Sequence, residues 1–293
     1  MWKGVVIDMA GTLYLCATPI GNLRDMTPRV EETLRGVDLI AAEDTRNSLK
    51  LLNYFQIHTP ITSYHEYNKV EKAHELIGRL QAGVDIALIT DAGTPAISDP
   101  GEVLVRMCME AGISVTSLPG PSACITALTL SGLSTRRFCF EGFLPFEDKR
   151  ELEAVMEELR EESRTIILYE APHRLKKTLQ RLYEALGDRK VTLCRELTKK
   201  FESVMATTLD NALCWYEERE PRGEYVLVLE GRSRQEKARE REAAWQKMSL
   251  EEHMGLYEGQ GRDRKEAMRL VAKDRGISRR DVYQGLLELS ERG

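Results

Sequence analysis

The feature that most constrains this chain is an alternation. Short runs dense in Val, Ile and Leu are separated by longer segments whose apolar residues recur every three or four positions. The runs Thr12–Ala17, Val37–Ala42, Val84–Thr90, Ile113–Leu118, Phe138–Gly142, Thr165–Glu170, Val191–Glu196 and Tyr225–Glu230 read as strands. Helical spacing marks Thr27–Arg35, Lys69–Gln81, Glu102–Ala111, Ser122–Leu130, Arg150–Arg160, Leu175–Leu186 and Leu209–Glu218. Strands alternating with helices predict an α/β fold on a largely parallel sheet. Strands that are apolar along their whole length predict that both sheet faces are covered. The turn-rich Gly142-Phe143-Leu144-Pro145-Phe146 marks a boundary, so two α/β domains are expected, over 1–137 and 138–232. Residues 233–293 form a third zone, a charged linker followed by a helical tail. Two helices are expected there, one over Arg264–Lys273 and one opened by a Ser278-x-x-Asp281 capping box, with Gly276 between them.

Charge narrows the function classes. The net charge of −5 argues against a general nucleic-acid coat. It is unevenly spread: residues 231–293 hold fifteen Lys and Arg against twelve Asp and Glu, which leaves the first 230 residues at −8. Arg262–Arg280 alone carries eight basic and three acidic residues. That stretch suits either RNA contact or an ordinary solvated helix pair. A hydrophobic fraction of 42% excludes a disordered chain. None of the six cysteines forms C-x-x-C, so buried free thiols in a reducing cytosol are expected, without zinc or disulfides. No apolar run approaches the ~18 residues of a membrane span. Val5-Val6-Ile7, cut by Asp8, is no secretory core, so a cytoplasmic protein is expected.

The chemistry concentrates where four strands of the first half end. Thr18-Pro19-Ile20-Gly21-Asn22-Leu23 follows the first strand, and Glu43-Asp44-Thr45-Arg46 the second. The 91–101 segment, Asp91-Ala92-Gly93-Thr94-Pro95 with Ile97-Ser98-Asp99-Pro100-Gly101, follows the third, and Pro119-Gly120-Pro121-Ser122-Ala123 the fourth. Any one of these could be an ordinary turn. Four together predict a ligand crevice at the carboxyl ends of the strands. Gly21, Gly93 and Gly120 would let backbone approach a flat ligand, and Ser98 and Ser122 would offer hydroxyls. No G-x-G-x-x-G, P-loop, H-E-x-x-H or G-x-S-x-G string accompanies them, so neither the common dinucleotide fingerprint nor a metal site is expected.

Those strings, followed in order by Tyr169-Glu170-Ala171-Pro172-His173-Arg174 and Arg195-Glu196-Leu197-Thr198-Lys199-Lys200, resemble the bacterial small-subunit ribosomal RNA 2′-O-methyltransferase I family. The likeness runs from about Gly11 to the C-terminus; Met1–Ala10 precede the usual family start, and Thr90 stands where a Ser is expected. The resemblance implies the tetrapyrrole-methylase fold of class III methyltransferases, with two α/β domains and S-adenosylmethionine in the cleft between them. It implies a homodimer that methylates the ribose 2′-hydroxyl of a cytidine in the decoding region. It places the cofactor on Pro19, Gly21, Asp91, Gly93, Thr94, Pro95, Ile97, Ser98, Ser122 and Ala123, and near Leu168 and Tyr169.

Removing the hydroxyl proton calls for a base. Glu43, Asp44, Glu170, His173 and Glu196 are candidates, with Glu43, Asp44, Arg46 and Glu196 the catalytic set. Glu43, Asp44 and Arg46 could instead be a local ion-pair network at a helix start, but two acids and an Arg at a strand exit facing the cleft favour a functional role. Arg174, Arg195, Lys199 and Lys200, with Arg264 and Lys265 in the tail, are candidate cations for RNA phosphates. The substrate is expected within an assembled particle, since an acidic body would bind naked RNA poorly. Two rival readings remain at this stage: a tetrapyrrole methyltransferase of the same fold, or a non-catalytic ribosome-binding module.

Overall fold

The computed structural model describes residues 10–233, 245 and 247–290. Met1–Met9, most of the expected linker (234–244 and 246) and residues 291–293 therefore lie outside the described residues. The first sheet is built from β1 (Leu13–Cys16), β2 (Leu39–Ala42), β3 (Ile61–Ser63), β4 (Ile86–Ile89) and β5 (Val115–Leu118), in the order β3-β2-β4-β1-β5. Every pairing in it is parallel. Alternate residues of each strand serve opposite faces. Leu13, Leu15, Leu39, Ala41, Ile86 and Leu88 pack with Leu76 and Leu80 of α3 (Lys69–Gln81) and Leu104 and Cys108 of α4 (Gly101–Glu110). Cys16, Ile40, Ala42, Ala87 and Ile89 pack with Val30 and Leu34 of α1 (Pro28–Gly36) and Leu52 of α2 (Thr45–Tyr54). Both faces are covered, as the unbroken apolar runs require.

The helix after β1 thus lies on one face and the helix after β4 on the other. Since β1 and β4 are neighbours, the chain parts between their carboxyl ends and a crevice opens there. The two exits are tied across it: Thr18 and Gly93 exchange backbone hydrogen bonds of 2.9 and 3.0 Å, and the buried Thr18 hydroxyl donates to the Thr90 carbonyl at 3.1 Å.

The second sheet contains β6 (Phe138–Gly142), β7 (Thr165–Glu170), β8 (Lys190–Arg195), β9 (Ser203–Thr208) and β10 (Tyr225–Leu229), in the order β6-β7-β10-β8-β9. The expectation of a largely parallel arrangement fails here. Only β6 and β7 are parallel; β10 runs antiparallel to both of its neighbours, and β8 and β9 are also antiparallel. β9 was not anticipated, because Ser203–Thr208 is a half-polar edge strand without a continuous apolar run. One face carries α6 (Lys149–Glu161), α7 (Leu175–Leu186) and α8 (Leu209–Glu217) over Ile166, Leu168, Leu193 and Leu227. The other face receives α5 (Ala123–Leu130), which follows β5 of the first sheet. Its Cys124, Ala127 and Leu128 pack on Ile167, Cys194, Val226 and Val228. Two sequence-predicted helices, α3 and α7, match their expected limits, whereas α2 and β3 were not foreseen.

Both sheets fall in one compact unit. A second unit holds α9 (Leu250–Gly259), α10 (Arg264–Arg275) and α11 (Arg279–Ser290), so the described residues of the tail include a helix beyond the two expected. Each start is capped. Ser249 and Glu252 form a reciprocal box, Asp263 accepts from the Glu266 amide at 2.7 Å, and Ser278 and Asp281 exchange bonds of 3.0 and 3.2 Å as the sequence predicts. Gly276, left-handed at φ 64°, ends α10. The core of this unit is Met254, Ala267, Val271, Ala272 and Val282.

His253 is wholly buried in the tail unit, between the Trp245 and Tyr257 rings, and its Nδ1 accepts from Arg275 Nε at 3.1 Å. Burial, and then the Arg275 cation, hold its pKa below the ordinary 6.5. The unfolded imidazole therefore takes up a proton before the folded one does, so the unit loses stability as pH falls below about 6.5. Limited proteolysis should cut residues 250–290 faster at pH 5.5 than at pH 7.5, after correction against an unfolded substrate. Equal rates would contradict this account of His253.

Candidate active site

The carboxyl ends of the first sheet face those of β6, β7 and β8, joined by the amino end of the antiparallel β10. Between them lies a cavity of about 360 Å³. Its wall from the first sheet includes Ile20, Glu43, Thr90 to Thr94, Ile97 to Asp99, Ser122 and Ala123. Its wall from the second includes Phe143, Tyr169 to Ala171, Cys194, Glu196, Leu197, Lys199 and Glu224 to Val226.

Two strained loops shape it. Ala96 and Ser98, after β4, have φ of 67° and 60°; Glu196 and Thr198, after β8, have φ of 52° and 66°. Non-glycine residues in this region cost roughly 1–3 kcal/mol each and persist only where their surroundings enforce them. For the β4 loop the enforcing group is Asp99. One carboxylate oxygen accepts from the Ala96 amide at 3.0 Å and the Gly101 amide at 2.8 Å, and the other from the Ile97 amide at 3.2 Å. Gly101 must be glycine for this packing, since a Cβ there would meet Asp99 Oδ1 at 2.7 Å and Leu88 at 2.9 Å.

For the β8 loop the enforcing group is Lys199. Its ammonium donates to Glu196 Oε1 at 2.9 Å and Glu224 Oε2 at 2.7 Å, while Glu196 Oε1 also accepts from the Glu224 amide at 3.0 Å. Burial alone would raise the Glu196 pKa, but these bonds outweigh it and hold the carboxyl below its usual range. Burial alone would lower that of Lys199, and its two carboxylates raise it instead. The three groups form a closed ionic cluster at the rim.

Most of the sequence-predicted cofactor residues converge on the cavity: Asp91, Gly93, Thr94, Ile97, Ser98, Ser122, Ala123 and Tyr169 all line it. Four do not. Pro19 and Pro95 are buried beneath the loops. Gly21 lies outside the lining because the Lys199 loop occupies its space; a Cβ there would meet Lys199 Cγ at 2.4 Å. Leu168 sits in the core under α7, one residue out of phase with Tyr169 on β7. Gly120 likewise serves chain packing, since a Cβ there would meet Ala17 Cβ at 2.6 Å, and of the three singled-out glycines only Gly93 lines the cavity. Ser122 stands at the N-cap of α5 but makes no capping bond with its hydroxyl. The Tyr169 hydroxyl takes that place and accepts from the Cys124 amide at 3.2 Å.

The four residues of the expected catalytic set separate. Glu43 and Glu196 line the cavity; Asp44 and Arg46 do not. Asp44 caps α2, accepting from the Arg46 amide at 2.8 Å, and pairs with the Arg46 guanidinium at 3.0 Å. That hydrogen bonding holds the Asp44 carboxyl below its usual range. The geometry is that of a cap and ion pair. Among the described residues Glu43 Oε2 accepts only the Thr90 hydroxyl, at 2.8 Å. Of the expected RNA cations, Lys200 is exposed on its loop and Arg264 and Lys265 are exposed at the start of α10. Arg174 instead pairs with the buried Glu170 at 3.1 Å and lies over the Phe143 and Phe146 rings. Arg195 points to the opposite face of its sheet from Cys194 and Glu196.

Sequence reasoning missed Phe143 and the Glu224–Val226 edge. Phe143 lies in the segment read as a domain boundary. Glu224–Val226 enters at the amino end of a strand, where the rule about carboxyl ends gives no signal.

Comparison with known proteins agrees with this geometry. The profile of the tetrapyrrole (corrin/porphyrin) methylases matches residues 12–213. A solved diphthine synthase superposes with a TM-score of 0.61 at 14% identity, over 76% of this chain and 91% of its own. The uroporphyrin-III-C-methyltransferase of Thermus thermophilus superposes with a TM-score of 0.54 at 18% identity, over 75% of this chain and 94% of its own. Fold and site thus define a methyltransferase of the tetrapyrrole-methylase class. Proteins named ribosomal RNA small subunit methyltransferase I are much more similar. The one from Synechocystis sp. is 48% identical over 97% of this chain and 100% of its own. Those from Bacillus subtilis and Escherichia coli O157:H7 are 46% and 44% identical, over 93% and 95% of each chain. The chain belongs to this ribosomal RNA small subunit methyltransferase I family, and S-adenosylmethionine is its methyl donor.

The cavity fits that donor. Six carboxylates and one lysine line it, which suits a sulfonium and an ammonium. Ile20, Ile97, Phe143, Tyr169 and Val226 supply an apolar wall for a flat base. Replacing Asp99 by Ala strips three loop amides of their acceptor. It should lower stability by about 1.5–3 kcal/mol and weaken donor binding ~10-fold, read by denaturant titration and calorimetry. Unchanged donor affinity would show that the loop conformation does not matter to the site.

Proposed function

We propose that the protein transfers a methyl group to the ribose 2′-hydroxyl of a cytidine in the decoding region of small-subunit ribosomal RNA. It acts in the cytoplasm, as a homodimer, on RNA presented by an assembled particle. The observation that carries this reading is the whole-length similarity to proteins named for small-subunit RNA methylation. The acid-lined cleft supports it against a tetrapyrrole substrate, a polycarboxylate that such a lining would repel. The two lobes that hold the cleft correspond on this reading to residues 1–137 and 138–232, with residues 233–293 as an appended RNA-contacting tail. No helix among the described residues is long and apolar enough to cross a membrane.

The donor supplies a methyl group on a sulfonium, a leaving group that needs no protonation. The chain's work is then positioning and proton removal. Asp91, Gly93, Thr94, Ile97 and Ser98 hold the donor from the first sheet, and Ser122, Ala123 and Tyr169 from the side of α5. Glu43 takes the 2′-hydroxyl proton as the ribose oxygen bonds to the methyl carbon and the carbon–sulfur bond breaks. It is chosen over Glu196 because, among the described residues, one of its oxygens has no hydrogen-bond partner, whereas Glu196 is committed to Lys199 and Glu224. The target ribose enters the cleft while the phosphates stay outside, near exposed cations. Lys200 serves this role at the cleft; Arg264 and Lys265 contact RNA from the tail unit, where they open a helix that Gly276 and a capped further helix complete in helix–turn–helix order.

Labelled S-adenosylmethionine incubated with small subunits from an undermodified source should place label on a cytidine 2′-oxygen. Label on a base, or transfer only to a tetrapyrrole, would overturn the reading. On the same substrate Glu43→Gln should lower kcat by about 10²-fold or more at unchanged donor affinity. Full activity would remove Glu43 from its role.

A further inference from the structure

A second cavity, of about 260 Å³, opens on the far face of the second sheet. Its lining includes Arg195 of β8, Ser203 and Met205 of β9, Trp215 and Tyr216 of α8, and Tyr225 of β10. Arg195 is the unusual member. Its Nε is buried and has no hydrogen-bond partner, and the one acceptor its guanidinium reaches is the Phe201 carbonyl, at 3.4 Å. No carboxylate pairs with it among the described residues. Glu196 is within electrostatic range of Arg195 but does not hydrogen-bond to it, so the guanidinium keeps buried donors unsatisfied, and that cost falls when an acceptor arrives from outside. Beside it Trp215 is 47% exposed, with the Arg219 guanidinium 3.9 Å from its ring centroid. A guanidinium with spare donors next to an exposed indole is the chemistry that holds an unstacked base and its phosphate.

Position supports the same occupant. Successive residues of β8 point to opposite faces, so Cys194 lines the first cavity while Arg195 lines the second; Glu196, in the left-handed loop just past the strand, returns to the first. Tyr225 lines both, and forms the partition at the strand end. A strand rounding that end can place one nucleotide in the cleft and a neighbour in the second cavity.

We infer that this cavity is a nucleotide subsite for single-stranded RNA, with Trp215 stacking a base and Arg195 taking a phosphate or base oxygen, beside the nucleotide to be methylated. The inference rests on the ribosomal RNA reading for the identity of its ligand. Its test reads binding rather than methyl transfer. A 5′-fluorescent, cytidine-containing pentaribonucleotide is titrated with the full-length protein in the presence of S-adenosylmethionine, and anisotropy is followed. Trp215→Leu and Arg195→Gln should each weaken binding ~10-fold, Trp215→Phe should retain most of it, and donor affinity should stay unchanged in all three. Wild-type affinity in Trp215→Leu and Arg195→Gln would overturn the inference, as would a loss in Trp215→Phe equal to that in Trp215→Leu. If Trp215→Leu turns a dimer into a monomer at unchanged RNA affinity, the cavity is covered by a second copy and the inference is wrong. Failure of the ribosomal RNA reading looks different: no label on the small-subunit RNA, with the oligonucleotide response of Trp215 intact.

Discussion

The burial of α5 against the second sheet is the contact on which the rest of the structure depends. Helix α5 leaves the first sheet through Pro119–Ser122, yet its Cys124, Ala127 and Leu128 are covered by Ile167, Cys194, Val226 and Val228 of the second. Burial of such apolar surface is worth about 25 cal/mol per Å². It therefore sets the separation of the two sheets without any polar contact across the cleft having to do so. The buried face of the helix is Cys124, Ala127 and Leu128, while Ile125, Thr129 and Leu130 on its other side are exposed. The same packing brings the Tyr169 hydroxyl to the helix's free Cys124 amide, so one wall of the donor cavity is anchored to the contact that creates it.

With the sheets held apart, the cavity is shaped by loops that would not keep their conformations alone. Asp99 and Lys199 play matching parts on the two sides. Each gathers groups that the backbone presents in the left-handed region, and each is itself satisfied by that gathering. Strain of this kind is tolerated where a precise surface is needed. An account of the site that names only residues touching the donor would omit Asp99's hold on Ala96, Ile97 and Gly101, and Lys199's hold on Glu196.

The first sheet was legible because parallel strands buried on both faces leave continuous apolar runs, and because every strand exit into the crevice carries its own punctuation. In the loop at 91–101, Asp91, Gly93, Thr94, Ile97 and Ser98 come to line the cavity, while Pro95 is buried beneath it. The second sheet was less legible. A half-polar edge strand such as Ser203–Thr208 carries no unbroken run, and nothing local in Tyr225–Leu229 says that it runs antiparallel. Glycine was also an ambiguous signal: Gly21 and Gly120 admit neighbouring chain, and only Gly93 faces the cavity. Charged residues were hardest to place. Asp44, Arg46 and Arg174 each have a functional and a structural reading in the sequence, and the fold commits each to a cap, an ion pair or an aromatic face.

The central claim is that the two strained loops, one from each sheet, jointly enclose the methyl donor. Hydrogen exchange of backbone amides with and without S-adenosylmethionine tests it directly. The account predicts slower exchange on donor binding in both 91–101 and 196–199, with the tail unit at 250–290 unaffected. Protection confined to one loop, or absent from both at saturating donor, would contradict it.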